Sequence, residues 1–185
     1  MEFIKSDISG VVLIEPDVHR DQRGFFQETF HRKKYAAGGI DYEFVQDNMS
    51  LSARGTVRGL HYQLEQPQGK LVFVLQGEIF DVAVDIRRGS PSFGRWVGFR
   101  LDAESRRQLF IPPGLAHGFM VLSESAEVYY KCTELYRPDD EYGIYWNDPA
   151  IAIAWPDCSP PLLSPRDQDL PRLEQVDSGQ LPCLF

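Results

Sequence analysis

Short apolar stretches, each closed by a turn signal, recur along the whole chain, and this rhythm limits the fold more than any other feature. Candidate strands fall at residues 10–15, 24–30, 44–47, 57–63, 71–75, 79–86, 96–101, 108–111, 119–122 and 127–135. Turn residues such as Gln76-Gly77-Glu78, Arg88-Gly89-Ser90-Pro91 and Pro138-Asp139-Asp140 separate them. In the run from Phe80 to Ile86, alternation puts Phe80, Val82, Val84 and Ile86 on one face. One helix is convincing, at residues 31–37, where Gly38-Gly39 stops it. Many strands at short, regular spacing predict an antiparallel sandwich or barrel. At 185 residues the chain fits one domain spanning 1–185 with a core of its own. From about residue 173 the pattern has no period, and this tail is expected to be loose or packed on a partner. Internal repeats and low-complexity segments are absent from the sequence.

Composition removes several classes of function. Hydrophobic residues make up 43%, with twelve Phe and eight Tyr, as in an ordinary globular protein. No run approaches the roughly 20 apolar residues that span a bilayer, and the opening MEFIKSDISG lacks the charged-then-apolar pattern of a signal peptide, so a cytoplasmic location is expected. Cys132, Cys158 and Cys183 are odd in number and widely spaced, which argues against a disulfide framework. A formal charge of −8 disfavours a nucleic-acid backbone as partner, so an anionic ligand would have to be met by a few local arginines.

The polar residues that interrupt the strands are informative in their spacing. Arg58-Gly-Leu-His61-Tyr-Gln63 is followed by Lys70 and then by Pro112-Pro-Gly-Leu-Ala-His117. This resembles the layout of metal-binding cupins, in which a Gly, a His-x-His pair, a Glu and a later Pro-x-Gly-x-x-His recur in order. Gly55 stands six residues before His61 and the last element is intact, but the second His of the pair is Gln63 and the nearest functional group after it is Lys70. A cation beside two imidazoles repels a divalent metal, and an amide is a poor substitute ligand. The pocket is therefore expected to be kept and the metal site lost, leaving His, Lys and Tyr for proton chemistry.

Each candidate has a bland alternative. A lone His on a strand is more often a hydrogen-bonded core residue; His61, Lys70 and His117 together form a polar cluster that a barrel interior does not carry without a use. A neutral imidazole could remove a carbon-bound proton, held in its tautomer by a carboxylate such as Asp167 in Leu-Ser-Pro-Arg-Asp. Lys70 is a solvated strand residue unless it faces inward, where its ammonium would stabilise an oxyanion. Tyr130 shares a face with Val128 and Cys132 while Tyr129 points away, so one of the two is core packing; a phenol is a suitable donor to an enolate. Arg23 and Arg58, each followed by glycine, suit a diphosphate. Arg58 and His61 have opposite parity, so sharing one pocket requires a bulge, placed at Gly59. Gln46-Asp47-Asn48 offers polar groups for sugar hydroxyls, whereas Trp146-Asn-Asp-Pro149 and Trp155-Pro156 read as packing and turn elements.

Taken together the chain closely resembles the dTDP-4-dehydrorhamnose 3,5-epimerase family, from about residue 2 to 172. The blocks are RGFFQETF, FVQDNMSLSARGTVRGLHYQ, QGKLVFVLQGEIFDVAVDIRRGSPSFGRW, IPPGLAHGFMVLSESAEVYYK, YGIYWNDP and PLLSPRD. The resemblance implies an all-β, cupin-type antiparallel jelly-roll barrel with one or two short helices, no metal, no cofactor, and a homodimer. It places the general base on His61, the proton donor on Tyr130, the oxyanion contact on Lys70 and the partner of the base on Asp167. Substrate contacts carry over to Arg23, Glu28, Gln46, Asp47, Asn48, Arg58, His117 and Glu141, with Arg23 reaching the neighbouring subunit's site. Arg166 stands where relatives often have lysine. The implied reaction inverts C3 and C5 of dTDP-4-dehydro-6-deoxy-D-glucose. A C3-only or C5-only epimerase, a sugar-nucleotide-binding jelly roll without catalysis and a metal cupin oxygenase are the alternatives.

Overall fold

The alternation from Phe80 to Ile86 turns out to separate two clusters. Phe80, Val82, Val84 and Ile86 share one hydrophobic cluster with Leu60 and Tyr62, whereas Ile79 and Ala83 on the opposite face pack with Val72, Val74, Leu109 and Phe119. A strand buried on both faces has to lie inside a layered structure. In a computed structural model of the protein, which describes residues 1–157 and 160–184, the layers are two antiparallel sheets face to face.

The first half of the chain runs β1 (Glu2–Lys5), β2 (Val12–Glu15), β3 (Val18–Asp21), β4 (Gly24–Gln27), α1 (Arg32–Ala37), β5 (Gln46–Ala53), β6 (Val57–Gln63) and β7 (Lys70–Gln76). It continues through β8 (Glu78–Asp85), β9 (Trp96–Asp102), β10 (Gln108–Ile111), β11 (Leu115–Val121), β12 (Ser125–Cys132), β13 (Glu141–Gly143) and α2 (Pro165–Gln168), with short 3-10 turns between and after. Among the described residues one sheet has the order β1-β2-β10-β7-β12-β5 and the other β13-β6-β11-β8-β9, while β3 and β4 form a separate hairpin. This is the expected cupin-type jelly roll. Its central core lies between the sheets, and each outer face is also covered. Tyr35 of α1 and Ile40 seal Val12, Ile14, Leu71 and Phe110 on one side. Leu60 and Leu71 are fully buried, and each such side chain stabilises the fold by roughly 1.5–3 kcal/mol relative to exposure.

Several expectations need correction. Strands β1, β3 and β13 were not anticipated; each has four residues or fewer, too short for a period to show. The strand expected at 44–47 is instead β5, which runs through Ala53. Its inward residues Gln46, Asn48, Ser50 and Ser52 are polar, Ser50 lining a cleft and the others hydrogen-bonded to neighbouring side chains, and the apolar Met49 and Leu51 lie outward, 65% and 64% exposed. That is the reverse of the pattern by which strands are recognised. β11 begins at Leu115 rather than 119, since Gly118 and His117 mask its start, and β12 ends at Cys132 rather than 135. A second short helix, α2, follows Ser164. The tail is not loose: Leu181 is buried in the outer cluster, Arg88 N–H donates to the Pro182 carbonyl, and Tyr62 Oη donates to the Gln180 carbonyl. Cys132 is buried and Cys183 exposed, both free; Cys158 lies outside the described residues. Trp155 Nε1 donates to the Trp146 carbonyl, in keeping with packing roles for both tryptophans. No described helix is long and apolar enough to cross a membrane.

Candidate active site

The cleft begins with a defect in the sheet. His117 of β11 pairs with His61 of β6, and two residues on Phe119 pairs with Arg58, three residues back, so β6 carries one extra residue there. Gly59 lies in the bulge at φ +120°, and a Cβ on it would stand 2.6 Å from the Gly118 Cα and 2.7 Å from the His117 carbonyl oxygen. Only glycine fits that approach. The parity mismatch is removed as expected, and Arg58 and His61 line one cleft of ≈ 450 Å³ together with Lys70, His117, Tyr130, Arg166 and Asp167.

His61 projects from β6 and is 24% exposed. Its Nε2 lies 2.6 Å from Asp167 Oδ1. A carboxylate only accepts, so the imidazole N–H sits on Nε2 and the Nδ1 lone pair is left for the cleft. Asp167 is delivered by α2, whose start is legible in hindsight: Ser164 is the N-cap, its Oγ accepting from Asp167 N–H at 3.0 Å, and Pro165 occupies the first turn. Burial alone would push the Asp167 carboxyl up, but hydrogen bonds from His61, Ser164 and the Gly59 backbone hold it below its ordinary value.

A second histidine–aspartate pair sits deeper. His117 Nε2 is 2.9 and 3.0 Å from the two oxygens of Asp81, which has no exposed surface. Sequence reasoning missed Asp81, although an acid on the face opposite Val82 and Val84 in an apolar strand was a usable signal. Lys70 opens β7 and turns inward; burial pushes its ammonium below the usual lysine range, while Cys132, Glu141 and Asp81 nearby act against the shift. Tyr130 packs against the central core and faces the cleft, and burial raises its phenol above the usual value, with nearby Cys132 adding to the shift. Tyr129 takes the other face, 5.0 Å from Phe73 between ring centres.

The remaining expected contacts divide. Asn48 stands opposite Tyr130 in the β5–β12 ladder and accepts from Gln46 Nε2 at 3.0 Å. Asp47 points out and pairs with Lys131 at 2.6 Å, so its side chain does not join Gln46 and Asn48. Arg58 Nε donates to Ser52 Oγ at 3.1 Å. Glu141 accepts from Arg166 and from Tyr136 Oη, the latter at 2.9 Å. Arg23, at the β3–β4 turn, is 85% exposed and paired with Asp21, and Glu28 is paired with Lys34 at 2.8 Å; neither lines the chain's own cleft. Ser50, Thr56, Val57, Phe119 and Leu162 to Ser164 complete the walls and were not singled out from sequence as site residues. Gln63, at the second position of the His-x-His pattern, is held by backbone groups: it donates to the Gln66 and Leu135 carbonyls and accepts from Arg137 N–H. Among the described residues no three His, Cys, Asp or Glu side chains are grouped to hold a metal ion.

The family model described as dTDP-4-dehydrorhamnose 3,5-epimerase matches residues 5–175. The chain belongs to that family. A dTDP-4-dehydrorhamnose 3,5-epimerase of Methanothermobacter thermautotrophicus is 55% identical over 154 residues, 83% of each chain. The Pseudomonas aeruginosa epimerase is 54% identical over 169 residues, covering 91% of this chain and 93% of its own. Among solved structures, the dTDP-6-deoxy-D-glucose-3,5-epimerase of Legionella pneumophila, in complex with dTDP-4-keto-L-rhamnose, superposes with a TM-score of 0.97 at 50% identity, covering 100% of this chain and 98% of the other. Over the described residues this chain therefore has the fold of that Legionella epimerase.

Proposed function

We propose that this chain inverts C3 and C5 of dTDP-4-dehydro-6-deoxy-D-glucose, giving dTDP-4-dehydro-L-rhamnose. The observation that carries the reading is the convergence of His61 with its Asp167 partner, Lys70 and Tyr130 on one cleft, in a member of this epimerase family. The C4 ketone acidifies the hydrogens at C3 and C5. His61 Nδ1 takes one of them, and the electron pair moves into an enolate. Lys70 faces the developing charge on O4, where a fixed cation in a partly dry site stabilises the transition state more than the ground state. Tyr130 returns a proton to the opposite face, and its raised phenol keeps that proton available at neutral pH. Asp167 holds the imidazole in its tautomer and stabilises the imidazolium.

Arg58 and Arg166 supply positive charge at the cleft wall for a diphosphate. Arg23 belongs to the same proposal through a homodimer. It lies outside its own cleft, and β5 is an edge strand with Met49 and Leu51 exposed. Unpaired edges with apolar outer faces invite a second copy.

The test is solvent deuterium uptake. The protein is incubated in D2O with dTDP-4-dehydro-6-deoxy-D-glucose and chelator, and C3 and C5 are followed by NMR. Label and inversion at both carbons are expected. Label at one carbon alone would make it a monoepimerase, and none at either would remove the catalytic reading for this substrate.

A further inference from the structure

Two inversions by one base pose a proton problem. Each abstraction leaves His61 as an imidazolium, which cannot act again until that proton has gone elsewhere. Nε2 is no exit, because its N–H is committed to Asp167, whose side chain is 4% exposed at the start of the helix that Ser164 caps. On the other side of the ring, Glu141 Oε1 stands 3.9 Å from Nδ1. That is too long for a hydrogen bond and is a span that one water bridges. A small cavity of ≈ 20 Å³ adjoins both groups and is lined as well by Lys70, His117, Gln68 and Tyr136. It has room for a single water with several polar partners. Beyond it Glu141 leads outward: Oε2 accepts from Tyr136 Oη and from Arg166, whose side chains meet solvent.

We propose that Glu141, through one water held in this cavity, is the proton outlet that discharges His61 between the two inversions. The inference rests on the epimerase reading above. In each half-reaction a C–H bond breaks, its proton goes to Nδ1 and its electron pair to the enolate; Tyr130 then protonates carbon and becomes a phenolate. The outlet passes the Nδ1 proton through water to Glu141 and on to solvent, and the phenolate takes a proton back from solvent. One proton leaves and one enters per inversion, with no oxidation or reduction. Lys70 borders the same cavity, but an ammonium only donates. His117 is tied to Asp81.

The deciding experiment is a single turnover in D2O with Glu141→Gln and the wild-type protein, quenched and read by NMR as the ratio of singly to doubly inverted product. The ratio is expected to rise about tenfold or more in the variant, whatever the overall loss of rate. Glu141→Ala is run alongside, with and without formate, a small carboxylate that fits the vacated space; formate should return the ratio toward wild type. If the Gln variant does not turn over, recovery of double inversion by formate in the Ala variant decides. An unchanged ratio, or no formate effect, overturns the outlet. Wild type that inverts one carbon or none overturns the epimerase reading and the outlet with it, whereas wild type that inverts both with an unchanged variant ratio sinks the outlet alone.

Discussion

The two histidine–aspartate pairs of the cleft are built by different parts of the fold. His117 and Asp81 sit on adjacent strands, β11 and β8, where Asp81 is the cross-strand partner of Phe119, two residues beyond His117. The ladder sets their distance, and Asp81 is wholly buried. His61 and Asp167 are separated by 106 residues, and the acid arrives on a four-residue helix that packs on β6. His61 keeps about a quarter of its side chain open to the cleft. A sheet-built pair gives a fixed polar element that the interior tolerates only because it is complete. The pair made with α2 leaves one nitrogen facing the cleft, as the proposed base requires. On the proposed mechanism the same two residue types divide into framework and chemistry according to what holds the acid.

The contrast can be broken from either side. His61→Ala should lower turnover by about 10²–10⁴-fold, the usual contribution of a positioned general base, with the thermal midpoint held near wild type; normal activity by NMR assay would remove His61 as base. Asp81→Ala should act on stability, costing roughly 3–5 kcal/mol because it leaves His117 buried without its partner. Urea unfolding measures this, and a shift under about 1 kcal/mol would mean the deep pair is no framework element. The smallest effect concerns acid. The folded Asp167 carboxyl lies below its ordinary value, so its contribution is present above the unfolded value of about 3.9 and is lost as pH falls through the folded one. Asp167→Asn should therefore flatten the loss of stability below about pH 4 relative to wild type, and an identical acid limb for both proteins would contradict the assignment.

Much of this was legible in the sequence, and the failures have a common cause. Strands such as β6 and β10 stand where their apolar pattern predicted, since one face or both meet the core. The bulge at Gly59 followed from the opposite parity of Arg58 and His61, if the two share a pocket, and from the glycine between them. Strand β5 obeys a different rule: its polar residues point in and its apolar ones out, so the usual alternation marks the wrong face. Asp81 escaped because its partner lies 36 residues away on another strand: its place in an apolar strand marked it as unusual, but nothing local named His117. The tail escaped for the opposite reason. Most of its hydrogen bonds with Arg88 and Tyr62 are made by backbone groups, which every sequence has, and the one side chain among them is the Cys183 thiol, which accepts from Arg88. The resemblance to known epimerases supplied what periodicity did not, chiefly the link between His61 and a helix a hundred residues on.

The separation of Asp167 from His61 along the chain has a consequence for how the protein is made. A ribosome releases His61, Lys70, His117 and Tyr130 well before the segment that carries the acid. Until residues 164–168 have emerged and closed a loop of 106 residues, the imidazole has no carboxylate to fix its tautomer. A nascent or clipped chain that stops short of α2 therefore carries His61, Lys70, His117 and Tyr130 but not the carboxylate that orients the His61 imidazole.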